Sequence, residues 1–321
     1  LRPTRLGADA LERRTLSPAM LLRLTLYLPD APAKTRVLHR CGEWVLGRAS
    51  ECDVQIDHVS VSRRHAQLFD DGTQVRIADL GSKNGTRLQG RPVGHADLPA
   101  DAWFSVGDVF CQLESLELSE VDQQQKRAAD RQTRSNTLAQ RLQASTDEQD
   151  LVTELLKGFV ELSECRRGFL LLGPNAEQLH VRACYGISPD DLNHDRFAGS
   201  RSAVARALRE RRAVYMDARH EQAWLAAQAS VVAGGLRSVV CLPLVNEGDL
   251  LGAIYADTDD TSRVFTDLDA ELMTALVDQA TSTLVAQQIE QRLRQMESWL
   301  QVEPGRTHWK SSAQPWIGKP V

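Results

Sequence analysis

Apolar positions in the first third of the chain alternate with polar ones, most cleanly at Leu22, Leu24, Leu26 and Leu28. A period of two puts one set of side chains on a single face of a strand. Short runs of similar character follow at 43–46, 53–56, 65–69, 74–78 and 109–113. Asp70-Asp71-Gly72 and Asn84-Gly85 supply turn chemistry between them. The pattern from 21 to 116 predicts an all-β sandwich.

The pattern then changes. Residues 117–150 contain no Gly, Pro or aromatic residue and are crowded with Gln, Arg, Ala and Asp. This composition predicts a solvated helix, and its apolar spacing is too poor for a coiled coil. We expect a spacer between two units that fold independently. From 151 onward helical and strand signals mix: a helix at 151–162, strands at 168–172 and 178–184, and a helix at 202–211. Strands at 237–245 and 250–257 flank Asn246-Glu247-Gly248-Asp249, a hairpin signal. A long amphipathic helix is predicted from near 266 to about 300, on the order of 50 Å at the usual helical rise. Residues from 302 onward are rich in Pro, Gly, Ser and Trp and read as a flexible tail.

Composition narrows the function classes. Hydrophobic residues make up 42% and charged residues 25%, the balance of a soluble globular protein. A net charge of -5 provides no broad basic field for nucleic acid. Six cysteines stand without a C-x-x-C pair or a zinc-like cluster and read as reduced, mostly core thiols. The longest apolar run, about seven residues at 239–245, is far short of the roughly 20 that span a bilayer. The expected compartment is the cytoplasm, with no membrane contact and no metal site.

Three segments in the β-rich region carry candidate chemistry: Gly47-Arg48, Ser62-Arg63-Arg64-His65, and Gly81-Ser82-Lys83-Asn84-Gly85-Thr86. Gly-Arg, Ser-x-x-His and Asn-Gly in this order resemble the forkhead-associated (FHA) domain, a β-sandwich that binds phosphothreonine peptides with its loops. The resemblance implies that Arg48 forks onto the phosphate, Ser62 donates its hydroxyl to it, and Asn84 holds the ligand's main chain. Arg63 and Lys83 add positive charge. A phosphate dianion suits a guanidinium fork, a hydroxyl and loop amides on a rigid scaffold. By the same resemblance His65 braces the loop from within, while Gly47, Gly85 and Thr86 support it as turn and packing residues. The family's second Asn-Gly is replaced by Gln89-Gly90.

The later half resembles the GAF domain, an antiparallel sheet flanked by helices, through 169–172, 183–187, 238–245, 250–257 and Phe265-Thr266-Asp267-Leu268-Asp269. Such domains bind small molecules or dimerise. The cyclic-nucleotide signature is incomplete, because Ala270 stands where Glu is expected and no upstream Asn-Lys pair is present. Cys184 reads as a buried strand residue rather than a chromophore anchor. No cofactor is assigned.

The expected organisation is a flexible arm at 1–20, the FHA unit at 21–116, a helical linker at 117–145, the GAF unit at 146–288, and a helix extension with a flexible tail at 289–321. The whole reads as a non-enzymatic signalling adaptor that docks onto a protein phosphorylated by a Ser/Thr kinase. The alternatives are a regulatory subunit of a transcriptional activator and, less favoured, a small-molecule-sensing enzyme. Ile289, Leu293, Met296 and Leu300 are spaced as in a coiled-coil seam and predict a homodimer. Thr15, Thr133 and Thr137 are candidate internal ligands once phosphorylated.

Overall fold

The computed structural model describes residues 20–29, 31–99, 101–174, 178–188, 190, 192, 201–216, 238–260 and 262–301. The expected N-terminal arm with Thr15 and the expected tail from 302 onward lie outside the described residues.

Residues 20–117 form a two-sheet sandwich. The first sheet contains β1 (Met20–Tyr27), β2 (Lys34–His39), β7 (Thr86–Leu88), β8 (Arg91–Val93), β10 (Ala102–Val106) and β11 (Val109–Glu117), in the order β2-β1-β11-β10-β7-β8. The second contains β3 (Glu43–Gly47), β4 (Val54–Gln55), β5 (Ala66–Asp70), β6 (Val75–Asp79) and β9 (His95–Leu98), in the order β4-β3-β5-β6-β9. Pairing is antiparallel apart from β3 with β4. The alternating leucines of β1 behave as their period requires: Leu22, Leu24 and Leu26 are buried and meet Leu46, Ile56, Leu68 and Ile77 between the sheets.

The second unit is a five-stranded antiparallel sheet of β12 (Arg167–Leu172), β13 (His180–Tyr185), β14 (Val214–Met216), β15 (Ser238–Asn246) and β16 (Asp249–Thr258), in the order β13-β12-β16-β15-β14. Glu247 and Gly248 both adopt positive φ in the β15–β16 turn, as the hairpin signal predicts. One face packs on α2 (Glu148–Ser163) and on α4 (Asp267–Gln301), burying Leu155, Phe159, Leu170, Ile254, Met273 and Val277. The other face, with Phe169, Val239 and Tyr255, receives Ala203 and Ala207 of α3 (Arg201–Glu210). The observed architecture is therefore an all-β sandwich and an α+β antiparallel sheet joined by a helix. Cys52, Cys111 and Cys241 are buried, whereas Cys165 and Cys184 are half-buried and Cys41 is exposed; all six are free thiols. Cys184 is less enclosed than expected because β13 is an edge strand.

The connector differs from a simple spacer. It is helical, α1 (Leu118–Ala144), and its first half is largely exposed. Its second half docks on the second unit. Leu142 is buried in that core, and Leu138 packs against Gly158 of α2, where an added Cβ would lie 3.1 Å from the Leu138 methyls. Arg131 donates to the Leu162 carbonyl at 2.7 Å and pairs with Asp269, whose carboxylate is fully buried. Arg263 reaches the same carboxylate at 3.1 Å, and Asp269 also caps α4 by accepting from the Thr266 amide at 2.7 Å. The units also meet directly: Ala33 donates its amide to the Phe265 carbonyl at 2.7 Å and accepts from the Asp267 amide at 3.3 Å. This contact joins the two units beyond what a plain spacer would do. A sequence of low apolar content can still join domains through backbone bonds and ion pairs.

Candidate functional site

The loops that carry the three motifs converge at one end of the sandwich, and neutral donors hold them there. Gly47 closes β3 so tightly against the next motif that a Cβ would lie 2.2 Å from the Arg63 carbonyl oxygen. That approach lets the Arg48 amide donate to the Ser62 carbonyl at 3.0 Å and the Ala49 amide to the Arg63 carbonyl at 3.1 Å. Glycine is required here because any side chain would part the strands.

His65 is fully buried and ties two loops. Its Nδ1 accepts from the Ser62 amide at 3.1 Å, so Nε2 carries the proton and donates to the Gly85 carbonyl at 3.2 Å. Burial pushes its pKa below the usual 6.5, although the Gly85 carbonyl and nearby Asp79 oppose that shift. Gly85 adopts φ +76°, the left-handed region that an Asn-Gly turn uses. Thr86 is buried and donates to Asp79 at 2.7 Å.

The two motif loops are also tied directly to each other. The Lys83 amide donates to Ser62 Oγ at 3.0 Å, and Asn84 Nδ2 donates to the Ser60 carbonyl at 2.8 Å. The Ser62 hydroxyl proton stays available for an acceptor. Asn84 keeps its carbonyl oxygen for an incoming N–H, since that atom accepts nothing among the described residues. Arg48, Arg63 and Lys83 are exposed, and none forms an ion pair among the described residues. Three exposed cations thus stand on the same loops as a hydroxyl and an amide whose backbones are locked.

Sequence reading missed the organiser of this frame. Asp79 accepts from the Gly81 amide at 3.0 Å, the Ser82 amide at 2.9 Å, the Ser82 hydroxyl at 2.7 Å and Thr86. Burial opposes its ionisation, but the bonds from Ser82, Thr86 and Gly81 prevail and hold its pKa below the ordinary carboxylate value. An Asp two residues before a Gly-Ser pair is an Asx-turn signal that could have revealed it. Ser60 was missed as well. It accepts from the Asp108 amide at 2.9 Å, and the same turn bonds Gly107 N to the Gly85 carbonyl at 3.1 Å. Because Tyr27 pairs with Phe110 beside that turn, the β1–β2 connection and its Ala33 contact lie at this same end of the sandwich.

Thr133 and Thr137 are not presented to this site as strands would be. Both lie within α1, with hydroxyls bonded to the Ala129 and Thr133 carbonyls at 3.0 Å each. Their main-chain groups are committed to the helix, so Asn84 could not engage them without unwinding it.

Comparison with known proteins agrees with these two architectures. The FHA domain family model matches residues 44–109, and a GAF domain model matches residues 145–285. The chain carries an FHA domain followed by a GAF domain. It is 37% identical over 70 residues to the FHA domain-containing protein FhaA of Mycobacterium tuberculosis, which is 22% of this chain and 13% of that protein. It is 42% identical over 52 residues to the glycogen accumulation regulator GarA of Mycolicibacterium smegmatis, which is 16% of this chain and 33% of that protein. The chain thus spans a third or less of these curated relatives. The solved FHA domain of the CT664 protein from Chlamydia trachomatis aligns with 29% of this chain and 96% of its own, at 25% identity and a TM-score of 0.28. Among the described residues no helix is long and apolar enough to cross a membrane, and no group of three or more His, Cys, Asp or Glu could hold a metal ion.

Proposed function

We propose that this protein is a phosphothreonine-dependent signalling adaptor acting in the cytoplasm. Its FHA unit, residues 21–116, docks onto a partner phosphorylated by a Ser/Thr kinase. Arg48 and Arg63 grip the phosphate with Lys83, Ser62 donates its hydroxyl to a phosphate oxygen, and Asn84 accepts an N–H from the ligand's main chain. Gly47, His65, Gly85 and Thr86 hold these groups in place without touching the ligand. The GAF unit, 146–288, serves dimerisation or small-molecule sensing, and no catalytic step is assigned to either unit.

One observation carries the reading: the motif loops are fixed to one another by neutral donors while their cations stay unpaired. An anion arriving at such a site meets donors already oriented, so little ordering opposes binding. GarA and FhaA, which share the FHA stretch, support the same class by family.

Calorimetry with matched phosphothreonine, phosphoserine and unmodified peptides selected from a phosphopeptide library tests the proposal. The expected result is binding that requires phosphate, prefers phosphothreonine and weakens on Arg48→Ala. A library with no ligand, or a best ligand indifferent to Arg48→Ala, would overturn it.

A further inference from the structure

Beyond Gln287, whose amide reaches the Ser145 carbonyl at 2.7 Å, helix α4 continues to Gln301. On this extension Ile289 is 54%, Leu293 54% and Met296 63% exposed. Their spacing places Ile289 and Met296 at d positions and Leu293 at an a position of a heptad. Going back along the helix, the same stripe passes through Ala286 and Ser282, both exposed and both small enough for close helix approach. In sequence the spacing continues forward to Leu300. A polar helix face would leave no such line of apolar and small residues open to water.

We infer that this stripe is the seam of a parallel two-helix coiled coil formed with a second copy of this chain. The charges beside the seam select both the occupant and its direction. The heptad puts Glu290 and Glu297 at e and Arg292 at g. In a parallel pair a g residue faces the e residue of the following heptad on the other helix, so Arg292 meets Glu297 of the second copy, twice by symmetry. In an antiparallel pair e faces e, which sets glutamates against one another. Glu290 already pairs with Arg294 of its own helix at 2.6 Å, whereas Arg292 and Glu297 have no ion pair among the described residues.

The direction has a functional consequence, which rests on the phosphothreonine reading. The Ala33 contact fixes the FHA unit at the N-terminal end of α4. A parallel dimer therefore carries both FHA units at the same end and can engage two phosphothreonines on one partner. The second binding event becomes intramolecular.

The test uses the full chain. Light scattering should give twice the chain mass, and Ile289→Asp with Leu293→Asp should give a monomer with unchanged helical circular dichroism. In a Cys41→Ser background, Ala286→Cys and Met296→Cys should each form a disulfide with the same position of the second copy, because an antiparallel pair can self-match at only one position. Arg292→Glu should weaken the dimer at least tenfold, and adding Glu297→Arg should restore it. A doubly phosphorylated peptide should then bind at least tenfold more tightly than a singly phosphorylated one. A monomeric parent, one that dimerises only after residues 302–321 are removed, a crosslink at one position only, or no rescue by the double charge swap would each overturn the seam. Mass and crosslinks are read without peptide, so failure of phosphopeptide binding alone would leave this result standing and sink the adaptor reading instead.

Discussion

Asp79 and Asp269 are both little-exposed carboxylates at the start of a turn or helix, yet the protein surrounds them with opposite chemistry. Around Asp79 every close partner is neutral: the Gly81 and Ser82 amides and the Ser82 and Thr86 hydroxyls. Around Asp269 the partners include the guanidinium groups of Arg131 and Arg263 together with the cap from Thr266. The first arrangement braces a loop and leaves Arg48, Arg63 and Lys83 without an ion pair among the described residues, as the proposed anion site requires. The second uses its cations internally, joining α1, the segment before α4 and α4 itself. Where a protein must receive a charge, its own charges of opposite sign have to remain unmatched; where it must hold elements together, matching them is the gain.

The largest expected effect comes from breaking the second arrangement. Asp269→Ala removes a fully buried carboxylate and leaves Arg131 and Arg263, 18% and 12% exposed, with only the exposed Glu164 carboxylate as a shared counter-charge. Breaking a buried pair from one side typically costs about 3 to 5 kcal/mol. Thermal unfolding of the GAF unit should shift down accordingly, and hydrogen exchange at Ala33 and along the second half of α1 should rise. If the melting temperature is unchanged, charge pairing does not hold the junction, and the contrast with Asp79 collapses.

Next in size is Arg48→Ala, which should leave the fold alone and act on the ligand. Losing one charge-assisted contact costs about 1.5 to 3 kcal/mol, roughly ten- to a hundredfold in affinity. Asn84→Ala should cost about 1 kcal/mol of peptide affinity through one lost neutral bond, with some loosening of the Ser60 segment it braces. Ser62→Ala should cost less. The two single variants Asp79→Asn and Arg48→Ala, measured side by side, sharpen the comparison further, since the first should loosen the loop and the second should not. Equal changes in hydrogen exchange from both would mean that binding and bracing are not divided as proposed.

How much of this was legible beforehand follows from what each element depends on. Leu22, Leu24 and Leu26 announce β1 because strand burial is written in a local period. The motif residues were visible because loops fix chemistry at short range. Strands β2, β7 to β10 and β14 are not legible; several hold only three to five residues with mixed patterns, and pairing rather than propensity makes them strands. The docking of α1 was invisible for another reason. It rests on Arg131, Leu138 and Leu142 among 27 mostly polar residues, and their partners come from segments distant in sequence. Asp79 lay between the two: its turn signal was local, but its burial was not.

The smallest expected effect concerns His65, the brace between the two motif loops. Its folded pKa lies below 6.5 because burial disfavours the imidazolium, and its Nδ1 must stay unprotonated to accept from the Ser62 amide. An unfolded chain takes up the proton first as pH falls, so stability is complete above 6.5 and is lost progressively below it, towards the folded pKa. Unfolding midpoints without peptide should therefore fall between neutral pH and the mildly acidic range, more in the parent than in His65→Gln, which lacks the titrating group but keeps an amide able to bridge. Working without peptide matters, because a phosphate ligand loses its second charge near pH 6 and would imitate the trend. Proton NMR of the His65 ring gives the direct reading: a titration midpoint at or above 6.5 would mean that the ring is not buried as a neutral brace, and the frame that orients Ser62 would need another support.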